Sequence, residues 1–201
     1  MAASFLRNAM PQGVQIPVDI DLLLERQGVD LDYWPNLKSI HGVAGAVLRD
    51  TNSNSLVIYI DQEIADEDSG KNFYRTTVAE ELGHVVLHGT AIQQVVEMHD
   101  FRQLQRHSMW HQAERNAKRF GYSLLMPQEE LLRESNQIYP KLVLVAGYGD
   151  GEAIKMHLCS QLARKFEVSH KTMSIRMTEW PMRINEKVDQ AIRSRIETLD
   201  F

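Results

Sequence analysis

Apolar and polar positions repeat along this chain with two different periods, which set one β-rich stretch among several helices. After a loose N-terminus ending at Pro17, VDIDLLLERQGVDLDYW carries its apolar residues on one helical face and stops near Gly28. GVAGAVLRD and SLVIYID are short β-rich runs separated by the turn-forming TNSNS, which predicts a hairpin over residues 43–61. The acidic DQEIADEDSG reads as a solvated loop. Helical spacing returns over residues 72–88 and again over 110–125, where Pro127 closes it. Residues 90–108 are left unassigned, 128–146 look helical but weakly periodic, and GYGDG is a turn. From residue 152 onward the spacing is helical. It ends in an amphipathic stretch with Val188, Ala191, Ile192, Ile196 and Leu199 on one side. Helix, hairpin, then helices predicts an α+β fold.

Composition narrows the class. A chain of 201 residues suffices for one sizeable domain, or one domain with a small appendage. With 43% hydrophobic and 24% charged residues it reads as an ordinary globular protein. It has no 18-residue apolar run and no charged-then-apolar leader, so neither a membrane span nor a secretory signal is expected. The single cysteine, Cys159, precludes an intrachain disulfide framework and suits a reducing cytoplasm; it reads as a small core residue. The net charge of −5 argues against nucleic-acid binding by the whole surface. Yet residues 155–183 hold six Lys or Arg against two acids, a balance of +4, which leaves −9 for the rest.

Residues 76–89 concentrate the chemistry. At about 100° per residue, Val78, Ala79, Leu82, Val85 and Val86 gather on one arc, and Glu80, Glu81, His84 and His88 on the other. Ligands four residues apart point the same way and can pinch one ion, as in the H-E-x-x-H zinc helix. The residue after the first ligand position sits beside the ion and is placed to move a proton. Glu81 holds that general-base position and His84 the second-ligand position, with Gly83 leaving room for backbone or substrate. A third protein ligand leaves one coordination position open, and the best candidate is Glu114 in WHQAERNAKRFGYSLLMP. That segment spaces Ala113, Ala117, Phe120, Leu124 and Leu125 toward a core, and Glu114 borders this face.

The pair TTVAEELGHVVLH and ERNAKRFGYSLLMP resembles the ImmA/IrrE family of bacterial metallopeptidases. That family shows T-x-A-H-E-x-G-H-x-x-L-H followed by E-x-x-A-x-x-F-A-x-x-L-L-M-P. The resemblance extends to the LVIYID strand upstream and to a helix-turn-helix-like section downstream, over residues 18–180. It implies a zincin-like core, a small antiparallel sheet plus an active-site helix, over residues 15–150, and a helical, helix-turn-helix-like section over 151–201. It also implies Glu80, His84 and Glu114 as metal ligands and Glu81 as catalytic base. Glu80 departs from the family's histidine. Either it ligates through oxygen, in a site that takes zinc but tilts toward manganese or ferrous iron, or the metal is lost. Repulsion among Glu80, Glu81 and Glu114 favours a cation. His88 reads as a supporting or core histidine and His99 and His107 as surface residues; either His88 or His111 is open to taking the place of the missing imidazole. Tyr74 and Arg75 are open to substrate contact or to orienting a carboxylate.

In LCSQLARKFEVSHKTMSIRM, Leu162, Ala163, Phe166, Met173 and Met177 have packing positions, with the turn and cap at Val168 and Ser169. Glu167 stands where glycine is common. His170, Lys171, Thr172, Ser174 and Arg176 are expected to be exposed, either for DNA contact or as the surface of a bracing lobe. By the resemblance, the chain is a cytoplasmic zinc endopeptidase whose partner and substrate is a helix-turn-helix repressor in a stress-response or mobile-element switch. The alternative is an inactive peptidase-fold regulator that binds a repressor or DNA. The apolar seam over 188–199 either dimerises the chain or packs back onto it.

Overall fold

The computed structural model describes residues 1–66, 70–195 and 198–199. In chain order the elements are α1 (Ala2–Ala9), α2 (Ile20–Gln27), β1 (Asp30–Trp34), α3 (Leu37–His41), β2 (Gly45–Arg49), β3 (Leu56–Asp61) and α4 (Gln62–Asp66). Then follow α5 (Lys71–Ile92), α6 (Met98–Gln105), α7 (Trp110–Leu125), α8 (Gln128–Ala146), α9 (Gly151–Phe166), α10 (His170–Thr178) and α11 (Ile184–Ser194). They form two compact units, Met1–Gln15 with Asp19–Leu125, and Ile16–Val18 with Met126–Phe201. The units divide at Met126, whereas the motif-based boundary stands at 150; α8 packs against α9, so it belongs with the later helices. Among the described residues, no helix is long and apolar enough to cross a membrane.

The first unit is built around α5, which packs against β2 and β3 and against α7. The fold is α+β as expected, and the hairpin falls within 43–61: β2 and β3 pair antiparallel from Gly45↔Ile60 to Arg49↔Leu56. Asp50 holds its turn by accepting from the Asn52 and Ser53 amides at 3.0 and 3.2 Å. α2 ends at Gly28 in the left-handed conformation, φ 61°, where a side chain would be strained. The strand that follows is not apparent from the sequence. β1 pairs parallel with β3, from Asp30↔Val57 to Trp34↔Asp61, so the sheet is mixed, in the order β1-β3-β2. Every residue of β1 is exposed or half-buried, so it shows no apolar alternation and depends on its pairing with β3.

Two further segments gain structure through packing. The N-terminus forms α1, not a loose tail: Leu6 is buried, and the Phe5 ring meets Phe120 of α7 edge-on at 5.5 Å. Eight residues do not hold a helix alone; burial against α7 supplies the missing stability. The predicted acidic loop contains α4, whose start is fixed by buried Asp61 accepting from the Glu63 amide at 3.0 Å and from the Lys38 amide at 2.7 Å.

α5 and α7 cross at backbone contact. A Cβ on Gly83 would stand 2.7 Å from the Ala117 carbonyl oxygen, and one on Gly121 would stand 2.8 Å from the carbonyl of Ala79. The space at Gly83 therefore belongs to the neighbouring helix and not to substrate. Gly121→Ala is expected to cost about 1–3 kcal/mol by overpacking, despite alanine's better helix propensity, as read by urea denaturation. Val78, Ala79 and Leu82 are fully buried as the wheel requires, but Val86 is 36% exposed: α7 covers the helix face that holds Gly83 and His84 instead.

In the second unit, α9 ends at Glu167, which adopts the left-handed conformation at φ 50° without glycine. Ser169 then caps α10 by accepting from the Thr172 amide at 3.0 Å. Val188, Ala191 and Leu199 are buried, so the apolar seam is used within this unit; Ile196 lies outside the described residues. His170 and Lys171 are exposed as expected, but Thr172 and Arg176 are buried. Arg176 donates to the Met126 carbonyl through Nε at 3.4 Å and Nη2 at 3.3 Å, and through Nη1 to Glu179 at 2.9 Å. It is a brace, because turning inward satisfies a carbonyl that would otherwise be buried unpaired. Arg176→Met is expected to lower stability by about 2–3 kcal/mol, read by thermal unfolding.

Candidate active site

The crossing of α5 and α7 decides which polar groups meet. His84, 4% exposed, brings Nε2 to 3.0 Å from Oε1 of Glu114, thirty residues later. Lys118, one turn beyond Glu114 on α7, reaches its other carboxylate oxygen at 3.8 Å. Trp110 opens α7 and stacks on the His84 imidazole, 5.3 Å between centroids and 8° from parallel. Phe101 of α6 supports Trp110 edge-on at 5.6 Å. The His88 ring lies 5.8 Å from that of His84.

Glu80 and Glu81 share this region of α5. Glu81 turns toward the sheet, where it packs on Gly45 of β2. A Cβ on Gly45 would stand 2.8 Å from Glu81 Cγ and 3.0 Å from its Oε1. Gly45 thus gives the carboxylate its space, a role with no signal in the sequence. Lys118, Trp110 and Gly121 are likewise recognised only from the packing.

The electrostatics follow from burial and crowding. Burial pushes the Glu80 carboxyl up to about 7, with Glu114 adding to the shift and Lys118 and His84 opposing it. Burial also pushes Glu81 up to about 7, reinforced by Glu114 and Glu80 and opposed by His84 and Lys118. Burial works against a charged His84, but the Glu114 hydrogen bond and the three carboxylates outweigh it and raise its pKa. Burial likewise acts upward on Glu114, yet the His84 hydrogen bond and charge outweigh it and hold the carboxyl below its ordinary value. The cluster is therefore short of positive charge.

The donor types suit a divalent ion: an imidazole beside carboxylates whose mutual repulsion a cation would relieve. His84 Nδ1 is buried without a hydrogen-bond partner. Two of the three expected ligands, His84 and Glu114, touch. Glu80 lies on the same helix one turn earlier, but among the described residues no three His, Cys, Asp or Glu side chains converge as a metal-holding group. His111 is exposed, as are His99 and His107. The Tyr74 hydroxyl donates to Asp21 at 3.0 Å, and Arg75 is buried, so the structure gives both residues places in the scaffold.

Beside His88 and Trp110 lies a mainly apolar cavity of about 290 Å³, walled further by Ile92, Leu104 and Met109. A search of curated proteins gives no match. Residues 39–178, more than half of the chain and inclusive of both motif helices, match the family model Peptidase M78, the IrrE N-terminal-like domain, and the chain belongs to that peptidase family.

Proposed function

We propose that this chain is a metal-dependent endopeptidase in which His84 and Glu114, with Glu80 beside them, hold a divalent ion and Glu81 acts as general base. The observation that carries this reading is the His84–Glu114 contact across α5 and α7, flanked by two further carboxylates. Zinc is the ion the family implies, and the oxygen-rich donor set also suits manganese or ferrous iron. When bound, the ion supplies Lewis acidity to a carbonyl and acidity to water. The chain's own part is positional. α7 presents Glu114 to His84, Trp110 holds the imidazole plane, and Gly45 leaves space for the Glu81 carboxyl. A carboxyl raised to about 7 by burial is poised to take a proton near neutral pH and return it to the leaving amine.

The substrate in this reading is a helix-turn-helix repressor whose cleavage switches a stress response or mobile element, as the ImmA/IrrE resemblance implies. The test is incubation of the zinc-loaded protein with such a repressor. Cleavage stopped by chelator and restored by metal supports the reading; an intact repressor in every arm removes it.

One observation favours a second reading, an inactive regulator of peptidase fold: Glu occupies position 80, and no three described donors converge. In that case the purified protein takes up no ion, and partner binding depends on exposed groups such as His170 and Lys171. A salt-dependent DNA mobility shift, weakened in Lys171→Glu, is its signature.

A further inference from the structure

We infer that His88 is a further ligand to the ion of this site, supplying the imidazole that position 80 lacks. The inference rests on the metallopeptidase reading above and concerns which side chains complete its donor set.

His84 and His88 repeat the four-residue spacing of a metal-pinching pair, displaced one turn along α5 from the usual position. The Nε2 of His88 is buried with no hydrogen-bond partner, and the His88 ring lies 5.8 Å from that of His84. A buried, unpaired ring nitrogen is costly unless something fills it.

The antiparallel crossing selects this residue over its neighbours. Ala79 lies against Gly121, Gly83 against Ala117, and His88 against Ala113. Ascending α5 therefore descends α7, so Glu114 falls between the levels of His84 and His88. Glu80 falls at the opposite level, near Lys118 and Gly121, where the lysine is the leading charge acting on it. The level of Glu114 is thus that of two imidazoles. His88 also borders the apolar cavity, which gives its ring room to change rotamer.

The experiment is a Zn²⁺ and Co²⁺ titration of the full chain and of His88→Gln and Glu80→Gln, with the Co²⁺ absorption spectrum recorded. The ¹⁵N resonances of the histidine rings are followed in the unsubstituted protein. The expected result is about one ion per chain, with affinity at least ~100-fold weaker and an altered Co²⁺ spectrum in His88→Gln. Glu80→Gln is expected to weaken it less, and the His88 Nε2 resonance to shift on Zn²⁺ addition. Unchanged affinity and spectrum in His88→Gln, with an unmoved His88 resonance, overturn the assignment while leaving the metallopeptidase reading intact. An unsubstituted chain that takes up no ion overturns both. The resonance needs no substitution, so a variant that fails to fold does not obscure the answer.

Discussion

Glu81→Gln is expected to lower peptide hydrolysis by about 10³-fold while metal uptake stays as in the unsubstituted protein. The reason lies in where the side chain sits. Glu81 shares the polar side of α5 with His84, but its carboxyl turns onto β2 at Gly45, whereas Glu114 meets His84 from α7. Glutamine keeps the shape and the contact with Gly45 but cannot accept and return a proton. A loss of rate without a loss of metal separates this role from ligation. Cleavage at the original rate would remove Glu81 from the chemistry. The same logic makes Gly45→Ala informative: its methyl would occupy the place of the Glu81 side chain, so activity should fall even though no reactive group is removed.

The second large effect is on stability as a function of pH in the metal-free protein. Glu80 and Glu81 have folded pKa values of about 7, above their ordinary 4.5. Over that interval the folded state holds protons that the unfolded state has released. Stability should therefore decline as pH rises from about 4.5 to about 7, by on the order of 3 kcal/mol for each of the two. Glu114 acts in the opposite sense: its depressed pKa stabilises the fold above about 4.5, and that contribution is lost as the solution is acidified. His84, with its raised pKa, stabilises the fold fully below about 6.5, and this fades as pH rises through its folded value. Both trends above pH 4.5 point to a site that loses stability on approach to neutrality without a cation. Chemical denaturation of chelator-treated protein across pH 5 to 8 measures the slope. Glu80→Gln should flatten it, and divalent ion should abolish it. A flat profile in the metal-free protein would mean that the two carboxyls are not held in the folded state as described.

How far the site is legible in sequence depends on the range of the signal. His84 and the two glutamates lie within one helical turn or so of each other, so the period of 3.6 residues is enough to collect them. Glu114 is found from a second periodic segment, and its pairing with His84 needs the crossing of α5 and α7. Arg176 shows the limit. Its helical position suggested solvent, but the free Met126 carbonyl and Glu179 draw it inward, and neither attraction leaves a periodic trace. β1 shows the same limit for strands, since an edge strand with exposed side chains is defined by its partner.

By itself, then, the sequence determined the two motif helices, the hairpin, the donors available on α5 and the family's fold class, because each depends on side chains spaced a few residues apart. Only the tertiary structure decided that Gly83 and Gly121 let the helices touch, that His84 meets Glu114, that Glu81 leans on Gly45, and that His88 keeps a buried nitrogen free of hydrogen bonds. Those contacts join residues up to 42 positions apart, as from Ala79 to Gly121, and are fixed by steric fit rather than by any local pattern.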